Sequence, residues 1–298
     1  MDDIRTPSAA PIEAPLPIRA SATVLLCRDG GEGLEVFMVQ RHSLSDVHGG
    51  SYVFPGGKLD AADALLDADR HLDQSPAELH ARLNEPDIDA ATAAALHVAA
   101  VREAYEECGV LLAHDVGKEG IAQAASLAAA GVGFNEMLAS LQLRLDTRSL
   151  EPWSRWITPE KSLTAPGKRF DTRFFVAAAP DGQVALHDDH EAIASRWWQP
   201  RSALAAYWQR EIVLAPPQIM SLAHLARYPT LAGLLAEAGR RPPCVVRPQV
   251  FSIDGVRGTA YPGDPLHPEL LRVMPGPLRL LMRGTRLEPP GGFDDFFE

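Results

Sequence analysis

The chain has 298 residues, a hydrophobic content of 46% and a net charge of −11. That hydrophobic fraction can form the core of one large domain or two small ones. The acidic balance argues against a nucleic-acid polymer as partner, because binding DNA or RNA depends on basic surfaces. No apolar run has the length of a membrane span, and the N-terminal region lacks a signal-peptide core. We therefore expect a cytoplasmic protein without a membrane partner.

The first predicted elements are a hairpin and a tight turn. Two β-rich runs at 22–27 and 34–40 flank the turn sequence R-D-G-G-E-G, which is typical of a β-hairpin. A loop then extends over 41–52, and residues 53–54 lead into a Pro-Gly-Gly turn at 55–57.

The remaining elements alternate between helical and strand patterns. Helical patterns cover residues 67–85, 90–113, 121–143, 201–209 and 216–238. Strand patterns cover residues 153–158, 170–179 and 195–199. Pro76 lies near an expected helix start, and the tail after Pro242 contains only short β runs.

Nine residues, R-E-A-Y-E-E-C-G-V at 102–110, place three carboxylates on one helical face. Glu103, Glu106 and Glu107 are three or four positions apart, so in a helix their side chains are neighbours and repel one another. A divalent cation would neutralise the cluster, and carboxylate oxygens suit Mg²⁺ or Mn²⁺. A solvated acidic surface helix is the alternative interpretation. The turn F-P-G-G-K-L-D at 54–60 and the apolar stretch 90–101 favour the metal site.

The turn and the helix together resemble the Nudix box, the signature of Mg²⁺-dependent hydrolases of nucleoside diphosphates linked to another group. That box reads Gly, five residues, Glu, seven residues, then R-E-U-x-E-E-x-G-U, where U is aliphatic. Gly57 corresponds to the first glycine, and the second half of the box matches at every fixed position. The resemblance implies an α/β (α+β) Nudix fold, in which a mixed β-sheet is sandwiched between helices.

The first half of the box departs from the family pattern at two points. Asp63 stands where the family has Glu, and 38 residues rather than seven separate it from Arg102. Such an insertion costs little closure entropy, about 0.6 kcal/mol per doubling of loop length. The acyl-CoA diphosphatases of the family also carry a long insertion here, after a start similar to F-P-G-G-K-L-D-A-A-D at 54–63.

These patterns predict three regions. They are a flexible arm at 1–18, a Nudix domain at 19–240 with a helical insertion at 64–89, and a C-terminal extension rich in Pro and Gly at 241–298. If the insertion covers the substrate pocket, its deletion should alter substrate choice before it alters metal binding.

The resemblance also implies roles for individual residues. The family's metal ligands correspond to Glu103, Glu106 and Glu107. Of these, Glu103 and Glu107 are also predicted to be catalytic residues. Arg102 resembles the family arginine that orients a neighbouring glutamate; a surface ion pair is its alternative. Gly56 and Gly57 would allow the backbone to approach the phosphates closely. Asp63 is either a functional carboxylate or a turn-forming residue.

Residues outside the box complete the predicted site. The general base of the family often comes from a later loop, and Glu191 in H-D-D-H-E (187–191) is the candidate here. A solvated acidic loop is the alternative interpretation. Arg41 and Arg169 are candidate substrate contacts, with Lys168 beside the second.

The substrate is less narrowly defined by the sequence. One CoA-cleaving group of the family carries a further motif just before the box. Arg41 and Gly50 match this motif, but His42 stands where the motif has Ser or Ala, and Asp46 stands where it has a second Arg. The long insertion favours CoA or acyl-CoA, cleaved to 3′,5′-ADP and (acyl-)4′-phosphopantetheine. NADH, ADP-ribose and nucleotide sugars remain alternative substrates, and a non-catalytic nucleotide sensor remains a second alternative. Many family members are dimers, which leaves a homodimer open.

Overall fold

The computed structural model describes residues 16–42, 49–164, 167–188 and 192–298. Of the predicted arm, only its last three residues lie in these ranges. The strands are β1 (Ile18–Gly30), β2 (Gly33–Arg41), β3 (Tyr52–Val53), β4 (Gly56–Lys58), β5 (Glu151–Ile157), β6 (Arg169–Ala178), β7 (Ala192–Trp198), β8 (Cys244–Val246), β9 (Gln249–Ile253), β10 (Val256–Ala260), β11 (Arg279–Arg283) and β12 (Arg286–Glu288). The helices are α1 (Ala68–His71), α2 (Pro76–Leu83), α3 (Ala90–Cys108), α4 (Gly117–Ala129), α5 (Phe134–Leu141), α6 (Pro200–Trp208), α7 (Pro216–Leu225) and α8 (Leu231–Ala238).

The larger sheet is mixed and follows the order β3-β2-β1-β6-β5-β8. Strands β1 and β2 form the predicted antiparallel hairpin, and β1 runs parallel to β6 over ten residue pairs. At its other end β1 pairs with β4, where Ala22 lies opposite Gly57. Along the edge that does not pair with β6, β1 therefore pairs with β2 at one end and with β4 at the other. The pairing with β4 holds the glycine turn on the sheet.

Two hydrophobic clusters cover the two faces of this sheet. Along β1, Val24 and Leu26 belong to the cluster that includes α3, whereas Leu25 and Cys27 belong to the cluster that includes α6, α7 and α8. Successive strand residues point to opposite faces, so an apolar run buried on both sides requires a layer of helices on each. The predicted mixed sheet between helices is confirmed.

The insertion within the box folds as short helices against α3 and the sheet. Helix α2 begins as predicted, with Pro76 at its first turn and a capping box formed by Ser75. Just after α2, the buried carboxylate of Glu85 accepts two hydrogen bonds from Arg173 on β6. They come from Nε at 3.0 Å and from Nη2 at 2.5 Å. Arg155 on β5 adds a third contact to the same carboxylate at 2.9 Å. This network attaches the insertion to the face of β5 and β6 that lies opposite α7.

Four predicted helices end earlier or divide. The stretch 67–85 forms α1 and α2, separated by residues 72–75. Helix α3 ends at Cys108 rather than at residue 113, because Gly109 adopts a left-handed conformation with φ 70°. The stretch 121–143 forms α4 and α5, separated at Gly131 (φ 79°). The stretch 216–238 forms α7 and α8, separated by residues 226–230, which include Pro229.

The short β runs predicted in the C-terminal tail assemble into a sheet whose position the sequence did not predict. Strands β9 to β12 make a four-stranded antiparallel sheet. Tyr261, Leu280 and Phe296 from this region are fully buried in the same cluster as α7. The tail thus shares one hydrophobic core with the preceding residues. None of the helices in the described ranges combines the length and the apolar character that crossing a bilayer requires.

Candidate active site

Helix α3 presents the predicted glutamates at its C-terminal end. Its N-terminal half is buried on nearly all sides, and Val98, Val101 and Ala104 continue the buried face. Glu103 and Glu106 lie on the opposite side, with side chains 13% and 49% exposed. The left-handed Gly109 then ends the helix directly after the acidic turn.

The Gly56–Gly57 turn packs directly against two of these glutamates. The backbone N–H of Gly56 donates to Oε2 of Glu107 at 2.9 Å. A Cβ atom at Gly57 would lie 2.5 Å from the carboxylate carbon of Glu103, a separation that real Cβ atoms do not show. A side chain at position 57 would therefore displace the Glu103 carboxylate, and the glycine turn keeps the two carboxylates at the edge of the sheet.

Arg102 lies at the centre of the acidic cluster. Its Nε and Nη2 donate to the two oxygens of Asp63 at 2.8 and 2.9 Å. Nη1 donates to Glu103 at 2.8 Å and to Glu106 at 2.9 Å, while Nη2 also reaches the carbonyl of Lys58. Burial lowers the pKa of Arg102, but the hydrogen bonds and charges of Asp63 and Glu103 outweigh this and raise it above its usual range.

This geometry decides between the interpretations that the sequence left open for two residues. With a side chain only 8% exposed, Arg102 does not form a surface ion pair. Asp63 is fully buried as a side chain and accepts from the backbone N–H of Asp60 at 2.8 Å. Asp63 therefore both stabilises the turn and pairs with Arg102. Its carboxylate is fully used in these contacts.

A cavity of about 750 Å³ extends from the glutamates across the sheet. Every second residue of the strands lines the cavity, as expected when a cavity lies on one face of a sheet. They are Arg19, Ser21 and Thr23 of β1, Phe170, Thr172 and Phe174 of β6, and Trp156 of β5. Since the strands follow the order β4-β1-β6-β5 here, the acidic end lies beside β4. Beside β5 the lining includes Leu163, Pro248 and Val250, so that end is apolar and draws on the C-terminal extension.

The structure brings only some of the predicted substrate residues to this cavity. Arg41 lines it, and also lines a smaller cavity of about 180 Å³ with the three glutamates. Arg169 does not: its Nε donates to the carbonyl of Thr158 at 3.2 Å. Side chains alternate along β6, so its neighbour Phe170 lines the cavity instead, as does Lys168 just before the strand. The cavity residues of β1 and β5 were missed, although the same alternation could have identified them.

The predicted general base, Glu191, lies outside the described residues. The same loop approaches the site at Asp188, whose backbone N–H donates to the carbonyl of Glu107 at 3.1 Å. The side chain of Asp188 lines the smaller cavity with the glutamates. The loop that contains the predicted base therefore begins next to the acidic end of α3.

The structure does not place the described residues of the insertion over the large cavity. No described residue of 64–89 is among those that line the large cavity. The insertion packs on the N-terminal half of α3 instead, where Leu79 and Leu83 enter the first hydrophobic cluster. Its contacts lie on the opposite face of the sheet from the cavity.

A second group of potential metal ligands lies away from this cavity. In the described ranges, Asp73, His114 and Asp146 have ligand atoms within 4.8 Å of one another. The oxygens of Asp73 already accept from Thr147 and His114. These hydrogen bonds lower the pKa of Asp73 against the opposing effect of burial. The cluster therefore acts as a polar contact between the insertion and the residues that precede β5.

The family model described as the NUDT19 Nudix domain matches residues 18–225. The chain belongs to the Nudix hydrolase family. This confirms the family that the box residues indicated, and the acyl-CoA diphosphatase branch within it. Human acyl-coenzyme A diphosphatase NUDT19 is 30% identical over 239 residues, covering 68% of this chain and 63% of the human protein. The Gallus gallus protein of the same name is 29% identical over 238 residues, covering 67% and 63%.

This Nudix chain thus spans less than two thirds of the length of those two relatives. Among solved structures, a NUDIX hydrolase from Alicyclobacillus acidocaldarius is 27% identical with a TM-score of 0.57. The match covers 77% of this chain and 99% of that one. The Nudix fold is therefore supported by sequence and by structure.

Proposed function

We propose that this protein is a divalent-metal-dependent Nudix hydrolase that cleaves the diphosphate bond of CoA or acyl-CoA. The products would be 3′,5′-ADP and (acyl-)4′-phosphopantetheine. The convergence of Glu103 and Glu107 on the Gly56–Gly57 turn carries the catalytic part of this proposal. The substrate part rests on the relatives that are named acyl-coenzyme A diphosphatases.

The residues at the acidic end suit a divalent cation. Glu103, Glu106 and Glu107 all line both cavities, and the first two share one nitrogen of Arg102. The charge of Arg102 is already paired with Asp63, and the carboxylate of Asp188 adds to those of the three glutamates beside Arg41. The carboxylates at this end therefore outnumber the basic side chains, and Mg²⁺ or Mn²⁺ would balance the excess negative charge. When bound, such an ion would polarise a phosphoryl oxygen and favour in-line attack by water.

The protein groups around that end would bind and orient the diphosphate. The side chain of Arg41 lines both cavities beside the glutamates and would contact a phosphate oxygen. Arg102 would act as a positioning residue, because its donors are taken by Asp63, Glu103, Glu106 and a carbonyl. Glu191 stays the proposed general base, on the loop that begins beside Glu107.

The proposal keeps 19–240 as the Nudix domain, 64–89 as its insertion and 241–298 as an extension. The extension is given a role, since Pro248, Val250 and Thr259 line the apolar end of the cavity. A homodimer stays a prediction that light scattering would test.

The decisive experiment is a hydrolysis panel at fixed Mg²⁺ in which products are resolved. It would compare CoA, short and long acyl-CoAs, NADH, ADP-ribose, a nucleotide sugar and a dinucleoside polyphosphate. Each substrate is tested with the wild type, Glu107→Gln and the exposed control Glu136→Gln. Release of 3′,5′-ADP that is lost only in Glu107→Gln is the expected result.

Other outcomes of the panel favour the alternatives. Faster release of AMP from NADH or ADP-ribose would retain the Nudix chemistry and remove the CoA assignment. Nucleotide binding with no product from any substrate would favour the sensor.

A further inference from the structure

The cavity carries basic side chains in two separate groups. Arg41 lies beside the glutamates, where a diphosphate would bind, and Arg102 is paired with the carboxylates there. Lys58 lies opposite Ser21, between this end and Arg19. Arg19 and Lys168 also line the cavity, but on the β1 and β6 part of the sheet. In a chain with a net charge of −11, two basic groups in one cavity indicate a ligand with two separate anionic groups.

The second group lies on one face of two neighbouring strands. Strands β1 and β6 are parallel, and Arg19 lies opposite Phe170. Lys168 directly precedes the first residue of β6 and lines the same cavity as Arg19. Among the described residues, no carboxylate is paired with Arg19. Arg19 is an exposed residue, so it can bind an anion from solution.

The distance between the two groups can be read along β1. Thr23 lies opposite Gly56, whose N–H contacts Glu107, and so it marks the diphosphate end. Arg19 is four residues away on the same strand, about 13 Å between Cα atoms. A ribose ring linked to the diphosphate covers part of that distance, and the long side chain of Arg19 covers the rest.

We propose that Arg19, assisted by Lys168, binds the 3′-phosphate of CoA and makes the site selective for 3′-phosphorylated substrates. This inference rests on the proposed function. Substrates such as NADH, ADP-ribose and nucleotide sugars carry the diphosphate without that third phosphate. Arg19 would therefore distinguish CoA from these substrates through the 3′-phosphate, which lies away from the diphosphate that the metal ligands serve.

The experiment compares CoA with 3′-dephospho-CoA, which differ only in that phosphate. The wild type is expected to show a kcat/KM for CoA about 10-fold higher or more, the usual effect of a charge-assisted contact. Arg19→Ala should lower kcat/KM for CoA about 10-fold and leave dephospho-CoA within about two-fold. Arg19→Lys should retain part of the preference, and Lys168→Ala should reduce it less than Arg19→Ala. Arg227→Ala, an exposed arginine outside the cavity, is the control.

The outcomes separate this inference from the function on which it rests. Equal cleavage of the two substrates by the wild type, or an equal loss for both in Arg19→Ala, would overturn the inference alone. No cleavage of either, with turnover of NADH or ADP-ribose, would overturn both. If Arg19→Ala does not fold, the inference is tested on the wild type by comparing the inhibition constants of 3′,5′-ADP and 5′-AMP. The inference requires tighter binding of 3′,5′-ADP, and equal inhibition would contradict it.

Discussion

Arg102 and Asp63 form a buried, two-bond ion pair that closes the Nudix box across the 38 residues that separate them in sequence. The pair joins the end of the glycine turn to the start of the acidic turn of α3. The same guanidinium then holds Glu103 and Glu106 through its third nitrogen. The position of the glutamates therefore depends on an aspartate that lies far from them in sequence.

The first prediction concerns this pair. Asp63→Asn should lower the free energy of unfolding by about 3 kcal/mol, because it leaves the charge of Arg102 buried without its partner. It should also lower kcat about 100-fold, because displaced glutamates no longer meet the substrate correctly. Urea denaturation and steady-state kinetics measure the two effects.

Two matched variants test the reason for that loss. Asp60→Asn removes a carboxylate that is 66% exposed and 3.9 Å from Arg102, and it should change both quantities little. Asp63→Glu restores the family residue and the charge, and it should retain more activity than Asp63→Asn. Equal activity of the Asn and Glu variants would show that the charge of the pair does not matter.

The second prediction concerns the close approach of Gly57 to Glu103. Gly57→Ala should lower kcat about 100-fold, since the new Cβ atom would displace the Glu103 carboxylate. Gly31→Ala is the matched control, because nothing lies within 4 Å of a Cβ atom at that hairpin position. Wild-type kinetics in Gly57→Ala would mean that Glu103 can move without loss of function.

The third prediction separates stability from substrate choice in the insertion. Glu85→Gln should lower the free energy of unfolding by about 3 kcal/mol, because Arg155 and Arg173 both depend on that buried carboxylate. Substrate preference should stay the same, since the insertion does not line the cavity. Asp69→Asn, an exposed carboxylate of the insertion, serves as control. A changed ratio of kcat/KM between CoA and NADH in Glu85→Gln would contradict this assignment.

The fourth prediction concerns acid stability. His97 is fully buried on α3, with its ring 4.8 Å from that of Phe175 and Nδ1 donating to the carbonyl of Ala93. Burial lowers the pKa of His97 to about 4, whereas an unfolded histidine titrates near about 6.5. Below that pH the unfolded state takes up a proton that the folded state does not. Stability is therefore retained above about pH 6.5 and decreases towards pH 4, with a loss of about 2 kcal/mol at pH 5.

Urea denaturation at pH 7.5 and pH 5.0 measures this loss. In His97→Leu the difference between the two pH values should be about 2 kcal/mol smaller than in the wild type. His224, whose pKa burial lowers to about 3, should give a similar and separable effect. Identical pH dependence in the wild type and His97→Leu would show that His97 becomes protonated without unfolding.

Local patterns predicted the elements that carry the chemistry. The hairpin, the Gly56–Gly57 turn and the acidic end of α3 each follow from residues that are close in sequence. Turn propensity, strand alternation and helical periodicity act over a few residues and can be read directly. Two helices were predicted too long because Gly109 and Gly131 adopt left-handed conformations, which compete with the helical pattern at those positions.

The sequence by itself determined the Nudix box, the three glutamates and the sheet between helices. The tertiary structure decided that Asp63 pairs with Arg102, that the insertion packs away from the cavity, and that the C-terminal extension lines it. It also decided that Lys168 and Arg19, rather than Arg169, face the cavity. These features depend on strand register and on packing between residues that are distant in sequence. Such contacts form only when the whole chain has folded, so no local pattern encodes them.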